Sequence, residues 1–548
     1  MRVAVVGAGL SGLVSAYVLA KEGVNVTLYE KEDYLRGQAK TVNVEGLDLD
    51  LGFMVFNRVA YPNMMEFFGC LGVDLKLLDM SFGVSLDGGS GYEWGNRYGL
   101  TSLFAQKRNL INPYFWQMVK EIINFKDDII RYLDMLDKNP NMDHNETLEQ
   151  FIKSKGYSEL FVNAYFIPIC GSIWPCSFER IMGFSAFLVL SFIHNLQHLQ
   201  LFGRLQWVTI NWRSQTHVKK VKEGLVSQGV HVMANCEVEL VSTEEKGCVV
   251  QCKDGSKERY DGCIIATNAP NTLRLLGDEA TYNERRILGA FQYVYNNVFL
   301  HHDKNLMPQN PAAWSAMNFL ECDHNRVCVT YWLNILQNLD ETRLPFLVTV
   351  NPNYIPENIL FKWSTGLPVP SVAAFKASQE LEKIQGKRRI WFCGAYQGCE
   401  FHKDGLKTGM VAAYGILGSY RSLWTNPKHM VMTQADLGLA DAYINGDFTL
   451  DDKDKGLLNL FLIFIRANRD SNISNSKLKK NRGWWTPVLF TAGLSSAKFF
   501  LKHWLRKNTL TQARRNISRH YDLNEDEDLK DAQMRKISLL IEKVRAFD

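Results

Sequence analysis

Several features are scarce in this 548-residue chain, and each absence removes a class of function. Its 11 cysteines include no CxxC pair, which argues against a zinc ribbon or a disulfide framework and fits buried, reduced thiols. The longest apolar run, "IMGFSAFLVLSFI" from Ile181, has 13 residues, whereas a membrane-spanning helix needs about 20. No charged and apolar leader precedes the strand-like run at Arg2, so neither a signal peptide nor an organelle presequence is expected. A net charge of +4 is too small to name a partner. What remains is a globular protein long enough for two to four structural units, either free in the cytoplasm or peripheral to a membrane.

The N-terminal stretch "RVAVVGAGLSGLVSAYVLAKEGVNVTLYEK" carries the strongest positive signal. A short apolar run suits a buried parallel strand, and the residues after it change to helical periodicity. Between them, Gly7 permits a tight turn, Gly9 lets backbone approach a pyrophosphate, and Gly12 lets the helix pack on the strand. Ala16, Leu19 and Ala20 form the inward helix face, Gly23 ends the helix, and "VNVTLYE" is a second strand. Glu30, 18 residues past Gly12, falls where an acidic side chain accepts hydrogen bonds from an adenosine ribose. Leu10 and Ser11 between the glycines, and Lys31 beside Glu30, join the candidate contacts. These signals agree on a dinucleotide site.

Two later segments favour FAD over NAD. "GVHVMANCEVELV" followed by "YDGCIIATNAP" reads as a short strand, an excursion and a buried strand. "RRIWFCGAYQGCEFHKDGLKTGMVAAYGIL" reads as a strand, a turn at Gly394 and a helix opening near Asp404. A chain that leaves and re-enters a nucleotide domain in this way can wrap a long cofactor. On these motifs it resembles the flavin-containing amine oxidase and phytoene desaturase superfamily. The resemblance implies FAD contacts at Val238, at Gly394 and along Asp404, Gly405 and Leu406. It also places Gln38 of "LRGQAKT" near the cofactor, with Arg36 standing where that superfamily has a glycine and either crowding or contacting the pyrophosphate.

The expected fold is therefore α/β. A Rossmann-like FAD-binding domain (1–60, 230–284 and 386–425) is interleaved with an α+β substrate domain (61–229 and 285–385). A mainly helical segment (426–548) follows. Within the substrate domain, Met118, Ile122, Phe125, Ile129, Leu133 and Leu136 share one helical stripe, and "TLEQF" from Thr147 forms a capping box. Residues 285 to 365 are rich in β-branched and aromatic residues and supply its sheet. His194 and His198 share a helix face but lack the glutamate of a metalloprotease helix, so no metal is expected. "HHDK" at His301 reads as the solvated end of a strand, and "LDGGSG" near Asp87 as a hairpin turn. Cys393 and Cys399 flank the flavin turn as packing residues, Tyr396 reads either as a packed strand-end tyrosine or, as the resemblance implies, as an aromatic facing the flavin, and no catalytic base is identified.

Longer phrases, including "GFMVFNRVAYPNMMEFF", "NPYFWQM", "ICGSIW", "KNLMPQNPAAWSA" and "DGLKTGM", resemble a narrower group, the N-terminal oxidase-like region of plant cyclopropane fatty acid synthases, over roughly residues 1 to 425. "MTQADLGLADAYINGDFTLDD" and "ARRNISRHYDL" resemble the entry of that group's methyltransferase domain, but no second glycine-rich turn follows Leu523. From Lys477 to His520 there are eleven lysines and arginines and no acid, interleaved with aromatics. Such a segment suits an anionic membrane surface, and no nucleic-acid motif accompanies it. The resemblance implies an FAD-dependent oxidoreductase in unsaturated phospholipid acyl-chain metabolism, lacking the methyltransferase core. A non-catalytic flavin-fold protein that binds lipid or a partner is the alternative, and the missing turn argues against an active synthase.

Overall fold

The structure, a computed structural model, describes residues 1–418 except 36, 38–39, 53–54, 58–60, 140–143, 197–206, 211–214, 246, 324–325, 340–343 and 399–400. These residues belong to a compact unit, Met1–Asp447, and Phe448–Asp548 forms the second unit. Arg36, Gln38, His198, Cys399, Glu400 and the segment 426–548, with its basic stretch Lys477 to His520, lie outside the described residues.

The apolar run at the start of the chain forms β1 (Arg2–Val6), which is buried on both faces from Val3 onward. Helix α1 (Leu10–Lys21) follows directly and leads through Gly23, at φ +76°, into β2 (Asn25–Tyr29). Three more strands complete one sheet: β3 (His231–Met233), β4 (Gly262–Ile265) and β5 (Ile390–Phe392). Their order is β3-β2-β1-β4-β5, and every pairing is parallel. The expected excursion between β3 and β4 is a three-stranded antiparallel sheet, Val238–Glu244, Gly247–Cys252 and Lys257–Tyr260. Helix α2 (His402–Leu417) packs on the sheet beside α1.

Ser15 holds that helix pair together. Its buried hydroxyl lies 2.7 Å from the carbonyl oxygen of Ser11 and 2.9 Å from that of Gly409 in α2. Gly409 permits the approach, because a Cβ there would lie 2.3 Å from the Ser11 carbonyl.

A seven-stranded sheet forms the other half, in the order Ile359–Pro368, Tyr293–His301, Leu347–Val350, Arg326–Trp332, Met317–Asp323, Phe82–Ser85, Glu93–Gly95. Five strands come from the expected region, and the last two in that order are the hairpin around Asp87. The 26-residue helix Pro113–Lys138 buries Met118, Ile122, Phe125, Ile129 and Leu136 on one stripe. Each such side chain contributes about 1.5–3 kcal/mol relative to exposure. Thr147 and Gln150 form the capping box of helix Leu148–Lys155.

One reading of the sequence needs correction. His301 is not at a solvated strand end but fully buried, because its strand is covered by neighbours far along the chain. Its Nδ1 accepts the Asp303 backbone N–H at 3.0 Å, which leaves the proton on Nε2, 2.7 Å from Thr349 Oγ1.

Candidate functional site

Two cavities meet at the carboxyl ends of the parallel strands, where ligands bind in open α/β sheets. The first, about 380 Å³, runs from Glu30 along the α1 N-terminus to the α2 N-terminus. Gly7 makes the turn at φ +102°, with its N–H donated to the Tyr29 carbonyl at 2.8 Å. Gly9 is the N-cap of α1, with no side chain capping the helix and no acid in its first turn. The uncapped N–H groups and the positive end of the helix dipole thus favour an anion. Glu30 closes the far end, its carboxylate accepting the backbone N–H of Ala8 at 2.8 Å and of Glu32 at 3.1 Å.

Nine of the thirteen expected cofactor residues line this cavity: Gly7, Gly9, Leu10, Ser11, Glu30, Lys31, Val238, Gly394 and Gly405. Three have other positions. A Cβ at Gly12 would lie 1.9 Å from the Gly7 carbonyl oxygen, so Gly12 serves the close packing of helix and turn. Asp404 turns back to accept the Phe401 backbone N–H at 3.1 Å, capping α2 instead of lining the cavity. Leu406 is fully buried in the apolar core. Gln38 falls among the residues not described.

Sequence reasoning passed over Gly37 and His402. Gly37, at φ +53°, lies against Gly9, and a Cβ on it would come within 2.8 Å of the Gly9 Cα. It borders the cavity where Arg36 had drawn attention, and its signal was a glycine in a loop otherwise unremarkable. His402 is the first residue of α2 and, with Gly37, lines both cavities.

The second cavity, about 440 Å³, is walled by the inner face of the large sheet and by aromatic side chains including Tyr61, Trp174, Phe192, Trp207, Trp363 and Phe401. None of its described lining residues is acidic. Lys40 lines it, with its ammonium 4.4 Å from the Phe361 ring centre, and Lys403 lies over Tyr61 and Phe192 at 5.7 and 5.8 Å. Burial pushes the Cys393 thiol up to about 12 and raises Tyr396 as well. Both are protonated at neutral pH, which fits packing rather than acid–base work. Cys393 sits 3.7 Å from Ser15 Oγ, and Tyr396 packs edge-on against Phe291. Nine cysteines among the described residues, Cys393 included, are free thiols. Among the described residues, no cluster is arranged to hold a metal ion and no helix is long and apolar enough to cross a membrane.

The sequence profile of the flavin containing amine oxidoreductases matches residues 10–324, more than half of the chain. The chain belongs to this family. A flavin containing amine oxidoreductase uses FAD, and the first cavity fits it: an uncapped helix N-terminus for the pyrophosphate, open space beside Gly9, and a carboxylate at the end of β2. FAD is accordingly the cofactor that the family and the cavity together imply.

Among curated relatives, mitochondrial protoporphyrinogen oxidase of Nicotiana tabacum is 49% identical over 51 residues, 9% of this chain and 10% of that protein. The 15-cis-phytoene desaturase of Synechococcus elongatus is 40% identical over 78 residues, 14% and 16% of the two chains. The chain thus matches well under a fifth of the length of either relative. Among solved structures, putrescine oxidase bound to putrescine superposes with a TM-score of 0.55 at 14% identity, over 76% of this chain and all of that one. The CLA-producing fatty acid isomerase from P. acnes gives 0.53 at 12% identity, over 74% and 96%. Identities this low establish the shared fold alone.

Proposed function

We propose that this flavin containing amine oxidoreductase belongs with the plant cyclopropane fatty acid synthase group and oxidises an unsaturated acyl chain of a phospholipid. The observation that carries the reading is the aromatic-walled cavity beside the cofactor cavity, with lysines near it and no acid among its described lining residues. A cationic amine entering such a site leaves its charge desolvated and unpaired, a cost of several kcal/mol. An acyl chain instead gains from apolar burial, and an anionic headgroup has Lys40 and Lys403 to meet it.

FAD, when bound, supplies the hydride acceptor, and the chain's own residues do the rest. The N-terminus of α1 and Glu30 hold the ADP half, fixing where the redox end lies. Gly405 presents no side chain to the cavity, and a Cβ there would meet nothing closer than 3.8 Å, so backbone can approach a planar ring. The aromatic wall excludes water. His402 is the ionisable side chain that, among the described residues, lines both cavities, which makes it the group placed to exchange a proton with substrate.

The test is anaerobic mixing of the FAD-loaded protein with single candidate substrates while the flavin absorbance is followed. Bleaching by an unsaturated phospholipid, but not by its saturated counterpart or by putrescine, supports the reading. Bleaching by the amine alone overturns it, and a flavin that no substrate reduces favours a flavin-fold binding protein. The basic segment Lys477 to His520 remains a proposed anionic-membrane contact.

A further inference from the structure

We propose a second lipid contact: the surface from Tyr98 to Lys120 docks the protein on an anionic bilayer. This goes beyond the substrate reading, because a surface site does not depend on what the cavity takes.

Between Glu93 and Glu121 the chain has no acidic residue and four basic ones, Arg97, Lys107, Arg108 and Lys120. Arg97 is buried and the other three are exposed. The same loop and helix start expose large apolar side chains. Ile111 is 87% exposed, Tyr114 67%, Leu100 62%, Leu110 51% and Trp116 49%. Apolar side chains scattered singly over a surface need no explanation, but a group presented by one local structure does.

The local backbone is tied down, so these side chains are held outward. Trp116 donates its indole N–H to the Leu110 carbonyl at 2.9 Å, and its ring lies 5.4 Å from that of Phe104. Asn112 caps the following helix by accepting the Tyr114 N–H at 3.0 Å, and Ser102 Oγ accepts the Tyr98 N–H, also at 3.0 Å. Arg108 donates to the Ser90 carbonyl at 2.7 Å. Beneath them Phe115, Leu103 and Asn109 are buried.

Aliphatic tips, an indole and a phenol beside basic residues match the layered chemistry of a membrane interface: hydrocarbon, headgroup region and anionic phosphate. The acidic neighbours of this surface are confined to one side: Asp87, Glu159 and Glu321 line a cavity with Tyr114 and Gln117, and Glu121 accepts the Gln117 amide N–H at 3.1 Å, whereas the stretch from Leu100 to Ile111 carries only the charges of Lys107 and Arg108.

The test is flotation of the full-length, FAD-loaded protein with vesicles of phosphatidylcholine plus phosphatidylglycerol, against phosphatidylcholine alone. Wild type floats with the anionic vesicles. Leu110→Asp with Ile111→Asp weakens partitioning at least about tenfold, since two apolar contacts are lost. Lys107→Glu with Lys120→Glu weakens it about tenfold and flattens its salt dependence. Because the substituted side chains are exposed, FAD content and melting temperature stay at wild-type values. Either double variant floating like wild type overturns the proposal. So does loss of flotation on neutralising Lys477 to His520 alone with the Tyr98–Lys120 surface intact. A dimer that dissociates in Leu110→Asp, Ile111→Asp while flotation persists overturns it too, by assigning the face to a second copy of the chain.

Discussion

The glycines of the first turn offer a paired perturbation in which one substitution strikes the ligand and the other strikes the fold. At Gly12 an added methyl would lie 1.9 Å from the Gly7 carbonyl oxygen and 3.1 Å from the Ala266 Cβ. Neither β1 nor α1 can shift far, since Val3 to Val6 and Ser11 to Ala16 are all buried. Gly12→Ala therefore carries the cost of overpacking, about 1–3 kcal/mol or more. At Gly9 the backbone is extended, with φ −68° and ψ 175°, and the nearest atom to an added Cβ is 4.0 Å away. An alanine there fits the protein without strain and restricts the unfolded chain, worth about 0.4–1 kcal/mol in favour of folding. It does, however, place a methyl where the pyrophosphate must approach. Thermal melting without added FAD and titration with FAD separate the two effects. Gly9→Ala should melt at or slightly above the wild-type temperature yet bind FAD at least about tenfold more weakly, a loss of about 1.4 kcal/mol. Gly12→Ala should melt lower. The reasoning is refuted if Gly9→Ala is as unstable as Gly12→Ala, or if it keeps wild-type affinity for FAD.

Three further outcomes follow. Ser15→Ala removes the hydroxyl joining α1 to α2 and should cost about 1–2 kcal/mol, seen as a lower urea midpoint with an unchanged m-value. Burial lowers the His301 pKa to about 4, with Asp303 partly offsetting that and His302 adding to it. The unfolded state, with an ordinary pKa near 6.5, then binds more protons between pH 6.5 and 4. Stability should fall as pH drops through that window, and His301→Gln should flatten the fall in melting temperature. Lys40→Glu with Lys403→Glu should raise KM for an anionic unsaturated phospholipid at least about tenfold while leaving the flavin spectrum unchanged. An unchanged KM would remove the headgroup role.

The nucleotide half was legible because its determinants are local. An apolar run, three glycines at fixed spacing and a carboxylate at the next strand's end lie within 30 residues, and each acts on its immediate neighbours. The helical stripe from Met118 to Leu136 and the Thr147 capping box were readable for the same reason. Burial of His301 was not, since it depends on Thr349, 48 residues on, and on a strand beyond that. The strands Phe82–Ser85 and Glu93–Gly95 look like a self-contained hairpin until Met317–Asp323 pairs in parallel with Phe82–Ser85. Asp404 has a local role the motif did not announce: its carboxylate satisfies an N–H three residues back. The second cavity could not be read at all, because Lys40, Trp174, Phe192 and Trp363 come together only through the long-range pairing of the sheet.

The absorption spectrum of the purified full-length chain, followed by denaturation and identification of what is released, bears most directly on the central claim. A flavin band in the visible, with release of one FAD per chain that Gly9→Ala abolishes or sharply reduces, is the expected result. A colourless chain that takes up no FAD on titration would contradict the account.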